Sequence, residues 1–288
     1  MYWNSLNDAL RRRYGTKVYK LALSSGCTCP NRDGTLGTRG CIFCDGAGAF
    51  AEAGPQIEAA KARVASKAGP DAKYIAYFQS FTNTYGSVER LRALYTEAME
   101  PDEIAALSIA TRSDCLGPEV LALLEELGRQ KPVWVELGLQ TIHPASAAYI
   151  RRGYDLPVYD QAVAQLKAAG ITVVVHQILG LPGESREMMA ETARYIGQSG
   201  ADGVKFHLLH VLRGTDLAAR WAAGEVPILT LEEYIDALEA CGGSRCGGRP
   251  QRSKRGEEDF EWMRGGSGRC ARSSRSQRRL PFSTSLTK

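Results

Sequence analysis

Four cysteines lie close together in the stretch GCTCPNRDGTLGTRGCIFC: Cys27, Cys29, Cys41 and Cys44. Eleven residues separate Cys29 from Cys41, and two separate Cys41 from Cys44. The intervening PNRDGTLGTRG is turn chemistry throughout, so the loop can fold back and set Cys29 beside the Cys41/Cys44 pair. Thiolates gathered in this way suit soft metals. A cubane 4Fe-4S cluster normally takes four cysteines, so a set of three leaves one iron open to an outside ligand. The competing arrangement is a tetrahedral zinc site that also uses Cys27. Cys27 and Cys29 share a face if the chain between them is extended. We read Cys27 as a packing thiol, because the set of three is complete without it, and Cys115 as another.

Such a loop needs a scaffold. Short β-branched or aromatic runs start at Lys17 (KVYKLAL), Lys73 (KYIAYF), Ala106 (ALSIAT), Val133 (VWVELGL), Ile171 (ITVVVHQIL) and Gly203 (GVKFHLL). Between them, residues 57–68, 87–98, 118–129, 159–168 and 186–199 carry apolar side chains at helical spacing. Strands that alternate with helices pair in parallel through right-handed crossovers. This predicts an α/β fold, either an open doubly wound sheet or a barrel, closed or partial. The near-continuous apolar strands read as buried on both faces. The polar residues gather just after each strand, at the carboxyl-end rim where α/β folds bind ligands.

Composition narrows the classes further. With 288 residues, 44% of them hydrophobic, the chain can fill a sizeable core. The net charge of +4 is unevenly spread: residues 241–288 hold twelve Lys/Arg against four Asp/Glu, and residues 1–240 hold 24 against 28. A weakly acidic body argues against a globally basic nucleic-acid binder, while leaving room for a local basic groove. No run approaches the roughly 20 apolar residues of a membrane span, and MYWNSLNDALRRRYG lacks the apolar run of a secretory leader. The expected location is the cytoplasm, with no membrane partner, where reduced thiols are available for metal chemistry.

Taken together and in order, CPNRDGTLGTRGCIFC, YFQSFTNTY, IATRSDCL, VELGLQTIH, HQILGLPGE and VKFHLLHVLRGT resemble the radical S-adenosylmethionine (radical SAM) enzymes. The long first cysteine spacing is similar to the Elongator catalytic-subunit class, and the full set to the YhcC/YtqA type. The resemblance covers roughly residues 1–240. It implies a partial (βα)6 TIM-like barrel of parallel strands forming a radical SAM core domain over 1–240, followed by an irregular tail over 241–288. It also implies a 4Fe-4S cluster held by Cys29, Cys41 and Cys44, with SAM chelating the fourth iron. Phe43 would lie against the adenine. Gln79, Ser80, Phe81 and Thr82 would hold the SAM amino group, with backbone carbonyls serving in place of a Gly-Gly-Glu motif. Glu136 and Gln140 would meet the ribose or the SAM carboxylate, and the segment from Ile178 to Gly180 the adenine edge. The expected activity is reductive cleavage of SAM to a 5′-deoxyadenosyl radical. The expected electron donor is flavodoxin- or ferredoxin-like, and tRNA is the leading substrate class. A zinc-stabilised binding module without catalysis is the alternative, as is an inactive truncated copy.

Other residues read more plainly. His176 lies within a strand and reads as a hydrogen-bonded core histidine, whereas one of His207 and His210, at the end of the sixth strand, is expected to contact substrate. Arg151 and Arg152 read as a solvated helix end rather than a phosphate clamp. Cys241, Cys246 and Cys270 lie in the glycine- and arginine-rich tail, where a second cluster would need a further ligand. The loss of apolar pattern at Cys241 reads as a shifted reading frame, in preference to an RNA-binding arm or an inert extension.

Overall fold

The computed structural model describes residues 5–44 and 53–243. Six parallel strands are hydrogen-bonded in chain order: β1 (Val18–Leu23), β2 (Lys73–Phe78), β3 (Ile104–Thr111), β4 (Val133–Gln140), β5 (Thr172–Leu179) and β6 (Gly203–Leu208). Helices α2 (Ala53–Val64), α3 (Val88–Met99), α4 (Pro118–Gly128), α6 (Leu156–Ala168) and α7 (Arg186–Gln198) cross between successive strands, as the alternating pattern predicts. Four further helices were not anticipated: α1 (Leu6–Tyr14), α5 (Pro144–Tyr149), α8 (Asp216–Ala222) and α9 (Leu231–Gly243). α5 and α8 are short, and too few apolar residues repeat in them for a period to show.

Helix boundaries follow local chemistry. Ser87 and Ser185 cap α3 and α7, each side chain accepting a backbone N–H in the first turn. Pro118 and Pro144 stand in the first turns of α4 and α5, where their missing N–H costs nothing.

The sheet is curled. In a flat sheet β1 and β4 would lie about 14 Å apart, and β2 and β6 about 19 Å. Yet Lys20 of β1 is ion-paired with Glu136 of β4, and Lys205 Nζ of β6 donates to the Tyr77 hydroxyl of β2 at 3.2 Å. Only a half-barrel lets side chains from these strands meet across the concave face.

The two faces of each strand do different work. Outward residues such as Ala76 and Phe78, Leu107 and Ile109, Val133 and Val135, and Val173 and Val175 join the helices in the main apolar core. Inward residues are stacked in layers. At the amino end, Val18, Ile75, Ala106 and Trp134 pack with Leu10 of α1, which plugs that end of the barrel. One step up comes a polar layer with a side chain from every strand: Lys20, Tyr77, Ser108, Glu136, His176 and Lys205. The sequence reading placed all candidate chemistry at the rim. This layer corrects it, because Glu136 and His176 sit one level below. Strand periodicity of two explains why: Glu136 shares a face with Gly138 and Gln140 above it and Trp134 below.

α9 continues through the composition break at Cys241 to Gly243. Cys241 is buried with Leu179, Met189, Ala193 and Ala237, and burial pushes its thiol up to about 12. Cys246, Cys270 and the expected irregular tail past residue 243 lie outside the described residues.

Candidate cofactor and substrate cavity

The cysteine loop is fixed from several sides. Arg32 N–H and Asp33 N–H both donate to the Cys29 carbonyl, and Cys44 N–H donates to Cys41, closing a turn around each end of the set. Asn31 is buried, and its Nδ2 donates to the Arg151 carbonyl at 2.7 Å and to Cys41 Sγ at 3.4 Å. Arg32 Nη2 reaches the Cys44 carbonyl at 2.7 Å. Its guanidinium lies 2.9 Å from where a Cβ on Gly40 would stand, and Gly40 has φ +73, so two features require glycine there. Ile42 anchors the far side: it is buried among Ile150, Ile178, Leu181 and Leu217, with Phe43 packed against the same group.

Cys29, Cys41 and Cys44 line one cavity of about 250 Å³ at the carboxyl ends of the strands. Burial pushes the Cys41 thiol up, with Asn31 and Arg112 opposing, and the Cys29 and Cys44 sulfurs close enough to add to the rise. Among the described residues, no three His, Cys, Asp or Glu side chains converge on a point that a single metal ion could occupy. Three cysteines that line one cavity are a donor set that suits an iron–sulfur cluster with one iron left open.

Phe43, Gln79, Phe81, Thr82, Glu136 and Gln140 line the same cavity. Phe81 and Gln140 both have positive φ, +66 and +69, which side-chain-bearing residues adopt only at a cost of about 1 kcal/mol or more. Gln140 closes the β4 irregularity where register with β5 shifts between Leu137 and Gln140. Its Oε1 is buried without a partner among the described residues. An acceptor held in that way, in a strained backbone, fits a site that takes a polar ligand. Thr82 N–H donates to the Thr28 carbonyl and ties the segment after β2 to the cysteine loop. Ser80 neighbours this segment, half-buried, away from the cavity lining. Ile178 is buried in the cluster behind Phe43. Gly180, φ +86, packs against Leu229, whose carbons lie 3.0 Å from where its Cβ would stand.

Two arginines depart from the sequence reading. Arg152 is 5% exposed and lines the cavity, its Nη1 donating to the Thr141 carbonyl at 2.7 Å. Arg151 is ion-paired with Asp216 at 2.6 Å. Neither is a freely solvated helix end, because the turn after α5 folds inward beneath the cysteine loop. Arg112, at the end of β3, also lines the cavity and makes a bidentate pair with Asp114 at 2.8 and 2.7 Å. Cys27 is buried in the main core, as read. Cys115 lines a separate groove with Asp114, Thr84 and Tyr85, and burial pushes its thiol up to about 12.

At the cavity floor, Glu136 is fully enclosed. It accepts from Lys20, from Ser108 Oγ at 2.6 Å and from His176 Nε2 at 2.7 Å, with Lys205 at 3.5 Å. Burial alone would raise its carboxyl; His176 and the two lysines outweigh that and hold it well below the usual carboxylate range. Glu136 therefore serves first as the buried anion that joins strands β1, β3, β4, β5 and β6. Lys20, Tyr77, Ser108 and Lys205 were not singled out from the sequence. The available signal was a polar residue at inward spacing within an otherwise apolar strand run.

A curled parallel half-barrel with three thiols gathered on one loop at its carboxyl-end rim defines the class of α/β protein to which this chain is to be compared. Residues 32–196 match the Radical SAM superfamily, and residues 201–241 match the Radical_SAM C-terminal domain. The chain belongs to the radical SAM superfamily. It is 42% identical over 243 residues to YtqA of Bacillus subtilis (strain 168), covering 82% of this chain and 75% of that protein. It is 40% identical over 235 residues to YhcC of Escherichia coli (strain K12), covering 80% and 76%. A tRNA uridine(34) acetyltransferase of Methanocaldococcus jannaschii is 32% identical over 136 residues, 46% of this chain and 25% of that one. Among solved structures, the archaeal Methanocaldococcus infernus Elp3 superposes with a TM-score of 0.58 at 22% identity, covering 78% of this chain and 53% of that one. That likeness shows the fold.

Proposed function

We propose that the chain is an enzyme that holds a 4Fe-4S cluster through Cys29, Cys41 and Cys44 and uses it to cleave SAM reductively. The observation that carries this reading is the shared cavity, lined by three thiols and by a strained, half-buried Gln140 whose buried side-chain oxygen awaits a donor. The chemistry such a cluster supplies when bound is one-electron reduction of the SAM sulfonium, giving methionine and a 5′-deoxyadenosyl radical that takes a hydrogen atom from substrate.

This chain's own residues bind and orient. Phe43 and the Ile178 cluster offer an apolar wall for the adenine. Gln79, Phe81 and Thr82, with Ser80 behind them, hold the amino end of SAM through the backbone after β2. Gln140 Oε1 accepts from the ribose or amino group. Gly180 keeps the end of β5 narrow so that the chain from Leu229 can close over it. The Glu136 layer seals the floor against water from the amino end, where Trp134 and α1 complete the plug. A flavodoxin- or ferredoxin-like protein of the cytoplasm would supply the electron. We take tRNA as the substrate class, supported by the partial similarity to tRNA uridine(34) acetyltransferases. No helix among the described residues is long and apolar enough to cross a membrane.

The test is anaerobic reconstitution with iron and sulfide, then SAM and dithionite, with 5′-deoxyadenosine measured. Its formation supports the reading, and a colourless protein that retains zinc would sink it. Cys41→Ala should abolish cluster binding; full iron retention by that variant would overturn the ligand set.

A further inference from the structure

Three of the cavity-floor groups form a directed chain. Glu136 is an ionised carboxylate and can only accept, so His176 carries its ring proton on Nε2, which lies 2.7 Å from Glu136 Oε2. His176 is kept neutral by burial and by Lys20 and Lys205, against the pull of Glu136. Its Nδ1 is therefore an acceptor, and it receives His207 Nε2 at 3.2 Å. His207 must then carry its own proton on Nε2 and present a bare Nδ1 lone pair. The two rings lie 4.8 Å apart, and both line the cavity with Tyr77 and Glu136.

The charged groups around this chain are already committed. Lys20 is paired with Glu136 and sits over the rings of Tyr77 and Trp134. Lys205 is shared between Glu136 and the Tyr77 hydroxyl. Burial, His176, Lys205 and His210 all disfavour the imidazolium form of His207, with Glu136 opposing, and lower it to about 3. Among the described residues, His207 makes its side-chain hydrogen bond through Nε2, leaving Nδ1 open to the cavity side. A neutral acceptor with the lysines committed nearby is poorly matched to a phosphate or carboxylate and well matched to an uncharged donor.

We propose that His207 is the substrate-binding acceptor of the cavity floor, its Nδ1 taking a hydrogen bond from an uncharged N–H or O–H of the substrate, as an amide, imide or hydroxyl would offer. Glu136 and His176 are positioning residues that fix its tautomer. This rests on the radical SAM reading for the presence of a substrate in the cavity, but the state of the imidazole can be measured without it.

The chain has four histidines, so 15N-histidine labelling of the reconstituted protein gives four resolvable rings in long-range proton–nitrogen spectra. His176 and His207 should both show protonated Nε2 and bare Nδ1 from pH 8.5 to 5.5. In mass-spectrometric mapping, diethylpyrocarbonate should label His207 at least fivefold faster than His176, whose two ring nitrogens are both engaged. A His207 that is charged or protonated on Nδ1, or equal labelling of the two rings, overturns the proposal. With bulk tRNA as the probe, the tRNA-dependent increment in 5′-deoxyadenosine should fall at least tenfold in His207→Phe. His207→Gln, which keeps an acceptor, should restore part of it, with equal iron content in both variants showing that they fold. An undiminished increment in His207→Phe also overturns the proposal. Absence of any increment in the unaltered protein counts against tRNA as the substrate class, and the spectra and labelling then decide the role of His207.

Discussion

Gln140 shows how a single residue can store strain for a ligand. Its φ of +69 would suit glycine, and its buried Oε1 lacks a partner among the described residues. Both features cost stability and both serve binding. Gln140→Gly should therefore stabilise the cofactor-free protein by about 1 kcal/mol in denaturant unfolding, while weakening SAM binding measured by calorimetry on the reconstituted protein. A variant that gained no stability would show that the left-handed turn carries little strain. His207 gives a pH signature with a definite sign. Unfolded, it protonates near 6.5, the ordinary value of a free imidazole; folded, it resists protonation down to about 3. Above pH 6.5 the two states bind protons alike. As pH falls from about 6.5 toward 3, the unfolded state gains a proton that the folded state refuses, and stability is lost. We expect a loss of roughly 2 kcal/mol by pH 4, allowing for solvent screening of this partly exposed ring. The slope should be shallower in His207→Asn, as urea midpoints at several pH values would reveal.

At the scale of elements, the cysteine loop is long and irregular, so its shape depends on a few buried anchors rather than on repeating hydrogen bonds. Asn31 is the central one, joining Cys41 Sγ to the carbonyl of Arg151, which itself has φ +58. Asn31→Ala leaves the Arg151 carbonyl without that donor, at a cost of about 1–3 kcal/mol. Iron per chain after gel filtration should fall by more than half, while far-ultraviolet dichroism stays unchanged because no helix or strand depends on the contact. Unchanged iron would mean that the turns at Cys29 and Cys44 suffice. The strands position the site differently. Their inward residues fall into layers because side chains alternate, and the polar layer gives the half-barrel a floor to which every strand contributes.

Across the whole molecule, the apolar surface is unevenly finished. Leu212, Trp221, Ile228, Leu231 and Ile235 are all large, exposed and confined to the stretch from the end of β6 through α9. β6 itself is half-buried along most of its length and lies at the edge of the sheet. Large apolar side chains exposed this often in one stretch are candidates for contact with another molecule. Exchanging Trp221 and Leu231 for Gln should change stability by no more than about 0.5 kcal/mol and lower the fluorescence of a bound apolar dye. A large loss of stability would mean that these side chains are covered in solution.

The sequence by itself determined the order of the strands and of the five crossover helices, the spacing of the loop cysteines and the family, because each is written in local spacing: two for strands, 3.6 for helices, eleven and two between cysteines. Parallel pairing followed from connection length. Whether the sheet was open or curled was left to the tertiary structure, since curvature is decided by contacts such as Lys20 with Glu136, 116 positions apart. The same is true of Arg152, whose inward turn depends on the carbonyls of Leu139 and Thr141. The polar floor was only hinted at in the linear pattern, by polar residues at inward spacing within apolar strand runs. A lysine in β1 or β6 reads as a surface residue until the half-barrel brings both to one buried carboxylate, and only that meeting makes their charges tolerable in the interior.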